Sequence, residues 1–266
     1  MSFWEARATR ETAPDQRVEG ELRYRLAAPL IRDAALWVDL GAGTGINQAR
    51  ALGSEPGARD ILLVDVDADA LAQAARELPG ARTLQADLAA ADGTAAVRRA
   101  TAEADGDVVV TCFGVIHQLE DFTALVDLLL ALGERGATVV LSAPDDQAGA
   151  LEDPHRRSAW SAGAAEELRR LLPAEAVAFK QVAVRASAIA PAEDEASVAL
   201  GEVAVGAADR PVAHLLAFGP GSARLAPVGL ARAADVEAER AEARRAVSDL
   251  AWMEAKLASL ETGASG

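Results

Sequence analysis

The stretch VDLGAGTGINQAR, residues 38–50, constrains the fold more than any other part of the chain. An apolar run leads to Asp39, and glycines follow at alternate positions, Gly41, Gly43 and Gly45, ahead of a sequence that suits a helix. Glycine lets the backbone become left-handed and approach a ligand closely, and the free N–H groups at a helix start face that ligand. The pattern predicts a strand, a tight turn and a helix that together hold a nucleotide.

Short apolar runs alternate with amphipathic segments from residue 36 to residue 144. The predicted strands in this region are 36–40, 61–67, 81–88, 107–115 and 137–144. Apolar runs without polar alternation are typical of strands covered on both faces, as in a parallel sheet. Helices between such strands favour an α/β, doubly wound fold. Two later runs, 176–186 and 210–220, predict an antiparallel pair that completes the sheet.

We expect three parts in the chain. Residues 1–35 are predicted to form an N-terminal helical cap, residues 36–220 the nucleotide-binding domain, and residues 231–262 a C-terminal helix. The C-terminal segment carries apolar residues at sevenfold spacing, namely Val236, Ala243, Leu250 and Leu257. This heptad pattern favours either a helix packed on its own domain or a coiled coil, which would make a homo-oligomer or bind a partner.

Composition excludes several classes of function. The net charge of −15 opposes binding to a phosphate backbone, so no nucleic-acid partner is expected. A single cysteine, Cys112, rules out an intramolecular disulfide, and no His, Cys or Asp cluster has the spacing of a metal site. No apolar run approaches the roughly 20 residues of a membrane span, and the charged start has no signal-peptide core. We therefore expect a cytoplasmic protein.

The identity of the nucleotide depends on the residues after the turn. The dinucleotide pattern G-x-G-x-x-G/A would place Ile46 where close packing of strand and helix calls for glycine or alanine. The observed G-x-G-x-G pattern departs from it. Asp65 ends the second predicted strand, where a carboxylate accepts the ribose hydroxyls of an adenosine. Since NAD enzymes use the same device, Asp65 supports adenosine without separating NAD from S-adenosylmethionine (SAM).

Asp87 and Leu88 lie at the end of the third predicted strand. A carboxylate there can bond the adenine amino group while Leu88 packs on the ring. The alternative interpretation is that Asp87 caps the following helix. Doubly wound sheets bind ligands at the carboxyl ends of their strands, and three polar sites at three successive strand ends favour a real ligand site.

Four segments, VDLGAGTG, VDVDADAL, QADL and DVVVTCFGVIHQLED, resemble class I SAM-dependent methyltransferases in order and spacing, over residues 36–144. The resemblance implies a Rossmann-like seven-stranded sheet with the last strand antiparallel, and SAM as the cofactor. Asp39 and the glycines would line the methionine and ribose side, Asp65 would hold the ribose, and Asp87 with Leu88 would receive the adenine. The residues implied at the cofactor site are Asp39, Gly41, Ala42, Gly43, Gly45, Asp65, Val66, Asp87, Leu88 and Cys112.

A narrower resemblance concerns bacterial methyltransferases of glycan and O-antigen assembly. Residues 19–27 match their E-x-x-x-R-Y-x-x-A segment. Their N-P-x-H-x-R-E stretch corresponds to residues 153–157, which lack one spacer residue and the glutamate. This resemblance implies a glycosyl acceptor.

Two histidines are candidate general bases for a hydroxyl acceptor. His117 lies just past the fourth predicted strand, although related enzymes often carry this histidine one position later, at Gln118 here; His155 lies in the long connection after residue 144. The aromatic residues Phe3, Trp4 and Tyr24 either cap the cofactor or pack an N-terminal helix on the sheet.

The predicted function is methyl transfer from SAM to a small-molecule or glycan acceptor, at a hydroxyl oxygen. Two alternatives stay open: an NAD(P)-dependent oxidoreductase on the same scaffold, and a methyltransferase-like scaffold that binds SAM without catalysis.

Overall fold

The described residues fold around one mixed sheet of seven strands. The computed structural model describes residues 18–53, 56–144, 162–182 and 213–229. The strands are β1 Leu36–Leu40, β2 Asp60–Asp65, β3 Arg82–Gln85, β4 Val108–Phe113, β5 Thr138–Pro144, β6 Val177–Gln181 and β7 Ala213–Phe218. Their order in the sheet is β3-β2-β1-β4-β5-β7-β6. The helices are α1 Val18–Asp33, α2 Ile46–Leu52, α3 Ala68–Glu77, α4 Ala91–Ala100, α5 Thr123–Glu134 and α6 Ala162–Leu171.

The first five strands are parallel, and β7 runs antiparallel to both of its neighbours, β5 and β6. This confirms the predicted α/β fold with an antiparallel last strand. The second strand is shorter than predicted because Asp67 caps α3. Its side chain accepts hydrogen bonds from the backbone N–H groups of Asp69 and Ala70, which ends the extended backbone and starts the helix.

The sheet is covered on both faces, so β1 is buried along its whole length. One core cluster packs β1 residues Leu36, Val38 and Leu40 with apolar residues of α4, α5 and α6. The other cluster packs Trp37 with apolar residues of α1, α2 and α3. Because side chains alternate along a strand, Asp39 lies on the same face as Trp37, beneath α1 and α2.

The carboxyl ends of β3, β2, β1 and β4 lie side by side at one edge of the sheet. The register pairs Asp65 with Gln85 and Leu40 with Val64, so the segments that follow these strands start next to one another. The glycine turn, Asp65 and the segment that contains Asp87 therefore lie at this edge.

Several predictions concern other parts of the chain. The predicted C-terminal helix at residues 231–262, the candidate base His155, and Phe3 and Trp4 lie outside the described residues. Within the described ranges, no helix is both long and apolar enough to cross a membrane.

Candidate active site

The three glycines of the turn after β1 have different surroundings. All are left-handed, with φ of +75° at Gly41, +55° at Gly43 and +75° at Gly45. A Cβ on Gly41 would collide with the Val115 side chain, and a Cβ on Gly45 would lie 2.8 Å from the Ala74 Cα in α3. On Gly43, no described atom would come within 4 Å. Gly41 and Gly45 therefore serve close packing, and Gly43 is the point where a ligand can approach the backbone.

Asp65, the last residue of β2, faces this turn. Its Oδ2 accepts a hydrogen bond from the Gly43 N–H at 2.8 Å, and its Oδ1 accepts one from the Asp67 N–H at 3.0 Å. Burial raises the pKa of Asp65, and the backbone N–H bonds oppose that rise. Each carboxylate oxygen can accept more than one hydrogen bond, so Asp65 retains capacity to accept from a ligand.

Asp39 lies beneath the turn with 0% of its surface exposed. Its carboxylate accepts hydrogen bonds from Thr111 Oγ1 at 2.6 Å, Gln48 Nε2 at 2.7 Å and Tyr24 Oη at 3.0 Å. Burial raises the pKa of Asp39 to about 6, although these three donors favour the ionised form. The structure thus places Asp39 inside the protein, as an internal acceptor for three different elements.

Tyr24 packs α1 on the sheet, which is one of the two roles considered for it. The side chain is 4% exposed. Its ring meets the Phe113 ring edge-on at a centroid distance of 5.0 Å and the Trp37 ring at 6.3 Å, while its hydroxyl donates to Asp39. Tyr24 therefore links α1 to the floor of the glycine turn.

The residues predicted near adenine differ in exposure. Val66, directly after Asp65, is 50% exposed, whereas Leu88 is buried in a core cluster. Asp87 is exposed, and its Oδ1 accepts a hydrogen bond from the Ala89 N–H at 2.9 Å, which stabilises the turn before α4. Val66 offers apolar surface at this edge, and the bond to the Ala89 N–H uses only one of the two carboxylate oxygens of Asp87.

Two of the predicted site residues lie in β4 or just after it. Cys112 is buried on the sheet face opposite Thr111, and burial raises the pKa of its thiol, which therefore stays protonated. His117 lies in a short 3-10 helix, Ile116–Gln118, just past the strand and is 6% exposed. Of the two, His117 lies beyond the carboxyl end of its strand, at the same edge of the sheet as the glycine turn.

Sequence reasoning missed Arg23, a functional candidate in α1. Arg23 Nε donates to Gln181 Oε1 at 2.9 Å, and its Nη2 lies 4.0 Å from Glu19 Oε2. Arg23 Nη1 and His117 Cε1 lie 3.9 Å and 4.0 Å from the position that a Cβ on Gly114 would take. A guanidinium nitrogen and an imidazole carbon therefore both lie about 4 Å from the same point beside Gly114, just past β4. The match of residues 19–27 to the E-x-x-x-R-Y-x-x-A segment includes Arg23, but the pattern alone does not indicate what this residue does.

Comparison with known proteins identifies the fold. No family model matches the chain, and no curated protein matches it. Among solved structures it is similar to the small RNA methyltransferase HEN1, with a TM-score of 0.51 and 17% identity over 81% of this chain. It is also similar to the methyltransferase domain of bacterial CtHen1-CN, with a TM-score of 0.50 and 16% identity.

The chain spans 26% of the HEN1 chain; with CtHen1-CN, the match covers 76% of this chain and 99% of that one. The chain has the fold of the class I SAM-dependent methyltransferases, as the sequence resemblance implied. A dinucleotide-binding Rossmann sheet has the all-parallel order 3-2-1-4-5-6, whereas here the antiparallel β7 lies between β5 and β6.

We expect Gly43→Ala and Gly45→Ala to differ in stability. Gly43→Ala should lower the free energy of unfolding by about 1–2 kcal/mol, because only the left-handed backbone resists the new methyl group. Gly45→Ala should lose roughly 1–3 kcal/mol more, because its methyl group also overpacks against the α3 backbone. Urea unfolding measures both; equal losses would contradict the assigned surroundings.

We also expect Asp39 to make stability depend on pH. The folded protein binds a proton at Asp39 up to about pH 6, whereas the unfolded chain releases it near 3.8. Lowering the pH from 7 to 4 should therefore stabilise the wild type by about 2 kcal/mol relative to Asp39→Asn. Urea unfolding of both proteins across this range isolates the effect, since other carboxyl groups are common to both. A difference that does not change with pH would refute it.

Proposed function

We propose that this protein is a SAM-dependent methyltransferase that methylates a hydroxyl group of a small-molecule or glycan acceptor. One observation carries the proposal: Gly43 faces open space among the described residues, and its N–H is bonded to the Asp65 carboxylate at the end of β2. An exposed glycine backbone beside a carboxylate is what a ribose needs at this edge of a doubly wound sheet. The antiparallel β7 supports SAM over a dinucleotide.

The adenosyl half of the cofactor fits the ends of β1, β2 and β3. Asp65 would accept the ribose hydroxyls with the acceptor capacity it retains. Val66 would supply an apolar face for the adenine, and Asp87 an acceptor for its amino group. Leu88 is buried in a core cluster, so we assign the contact with the adenine ring to Val66.

The amino-acid half of the cofactor fits the end of β4. SAM carries a carboxylate at this end, and a guanidinium is the side chain best suited to bind one. Arg23 reaches this point from α1 with a side chain that is 15% exposed, and Gln181 fixes its Nε. We assign Arg23 to the cofactor carboxylate. Helix α1 would then be part of the cofactor site as well as of the predicted cap.

Catalysis requires orientation above all. SAM, when bound, supplies a methyl group that its sulfonium has already activated. The protein's part is to align the acceptor oxygen with that methyl group and to exclude water. We assign to His117, which lies just past β4, the role of the general base that accepts the proton of the acceptor hydroxyl. His155 is a second candidate base.

The net charge of −15 supports a small molecule or glycan as acceptor over a nucleic acid, even though HEN1 is named as a small RNA methyltransferase. The match of residues 19–27 to a segment of the bacterial methyltransferases of glycan assembly supports a glycan as the acceptor. A cytoplasmic location and assembly through the C-terminal helix belong to the same proposal. Arg23 and His117, which both lie beside Gly114 just past β4, favour an enzyme over an inactive scaffold.

Asp65→Ala should weaken binding of S-adenosylhomocysteine by roughly 30- to 150-fold, the equivalent of about 2–3 kcal/mol, because a partly buried charged acceptor is lost. Isothermal titration calorimetry measures the change. Asp60→Ala is a matched control, since Asp60 lies at the other end of β2 in an exposed ion pair with Arg82. Unchanged affinity in Asp65→Ala would place the ribose elsewhere.

The oxidoreductase alternative has its own test. Thermal-shift titration of the wild type should show stabilisation by SAM and S-adenosylhomocysteine and none by NADH. Stabilisation by NADH alone would overturn the proposal.

His117→Ala should lower kcat by about 100-fold or more while leaving the affinity for S-adenosylhomocysteine unchanged, because a general base acts on the acceptor alone. The assay is release of S-adenosylhomocysteine from SAM with a panel of sugars and phenols. The matching control is His214→Ala in β7, opposite Ala143 and Lys180. Tight SAM binding with no turnover on any acceptor would favour the scaffold.

A further inference from the structure

Gln48 occupies a position that no functional assignment uses. It lies in α2, three residues after Gly45, and is 2% exposed. Its Nε2 donates to Asp39 Oδ2 at 2.7 Å and to the Ala42 carbonyl at 2.6 Å. Both partners are acceptors, so the amide nitrogen must face them and both of its N–H groups are used. A carboxylate or a thioether of similar size offers no such pair of donors.

The bond to Ala42 determines the orientation of one peptide group. The carbonyl of the Ala42–Gly43 peptide accepts a hydrogen bond from Gln48 Nε2. The N–H of the same peptide donates to Asp65 Oδ2 at 2.8 Å. The Gly45 N–H also reaches the Ala42 carbonyl, at 3.3 Å. This peptide adjoins Gly43, whose side faces open space among the described residues. The part of the turn that a ligand would meet is thus held at both ends by side chains.

Asp39 anchors Gln48 in turn. Thr111 Oγ1 donates to Asp39 and accepts from Trp37 Nε1 at 2.8 Å, and the Tyr24 hydroxyl donates to the same carboxylate. All of these groups are buried, and bonds in such a chain strengthen one another. The orientation of the turn therefore depends on a rigid network that reaches from α1 through β1 and β4 to α2.

We propose that Gln48 is a positioning residue that holds the Ala42–Gly43 peptide in the orientation the cofactor binds, and that Asp39 acts through Gln48 rather than by touching the cofactor. The inference rests on the proposed function, since it names SAM as the ligand of the turn. Without the Gln48 bond, the glycine on one side lets the peptide rotate, and the Gly43 N–H leaves Asp65. Binding must then restore the order, which weakens affinity.

The experiment compares Gln48→Met and Gln48→Glu with the wild type. Gln48→Met should weaken binding of S-adenosylhomocysteine by about tenfold, because one buried charged-acceptor bond and one carbonyl bond are lost. Gln48→Glu should bind more weakly still at pH 8 and recover at pH 6, because a proton shared with Asp39 restores one donor. The other titratable groups near Asp39 are Tyr24, Cys112 and Asp65.

The wild type supplies the contrast for this pH profile. Protonation of Asp39 weakens its acceptor role, so wild-type affinity should fall slightly from pH 8 to pH 6, in the opposite direction to Gln48→Glu. Gln73→Met and Gln73→Glu are matched controls in α3, where Gln73 is half-buried, and both should bind as the wild type does. A structural role alone would not reverse the pH profile.

A second measurement needs no ligand. Amide hydrogen exchange of Gly43 should speed up at least tenfold in Gln48→Met relative to amides in β1, because its peptide is released locally. Wild-type exchange and affinity in Gln48→Met would overturn the inference while the wild type still binds S-adenosylhomocysteine. If the wild type itself fails to bind that ligand, the proposed function fails first, and this inference fails with it.

Discussion

The buried carboxylate of Asp39 is the interaction on which the rest of this site depends. A carboxylate removed from water is tolerated only when hydrogen-bond donors surround it. The donors here come from three elements: Tyr24 on α1, Thr111 on β4 and Gln48 on α2. The bonds that make this burial possible therefore also hold those elements against β1. The raised pKa of Asp39 shows that the donors offset burial only in part. The arrangement lowers stability near neutral pH in exchange for a defined geometry.

The topology of the sheet gives two similar aspartates different roles. Asp65 is the last residue of β2 and lies at the edge, where it faces the open side of the turn. Asp39 comes one residue before the end of β1 and points into the layer beneath α1 and α2. One acid therefore lies at the edge of the sheet beside Gly43, and the other holds the turn from below. Together they fix the peptide beside Gly43 from its two ends, through Gln48 on one side and directly on the other.

Different strand ends along this edge of the sheet suit different parts of the proposed reaction. The ends of β1, β2 and β3 supply acceptors and apolar surface that suit an adenosyl group. The end of β4 brings together a cation from α1 and an imidazole, Arg23 and His117, which suit a carboxylate and a proton transfer. Arg23 and Tyr24 are adjacent in α1, so one helix contributes both to the network beneath the turn and to the reacting end.

Much of this architecture is local in origin, and the amino-acid sequence by itself determined it. Apolar runs of strand length, the glycine turn and the position of Asp65 at the end of the second strand are set by periodicity and turn chemistry over a few residues. Apolar periodicity does not set the strand ends, because a side-chain cap such as that of Asp67 starts a helix and so ends the strand before it. Only the tertiary structure decided that Gly43 is the glycine on the open side, that Asp39 is buried, and that Arg23 and His117 both lie beside Gly114. Those facts depend on contacts between distant segments, and burial and hydrogen bonding there follow from packing, which no local pattern records.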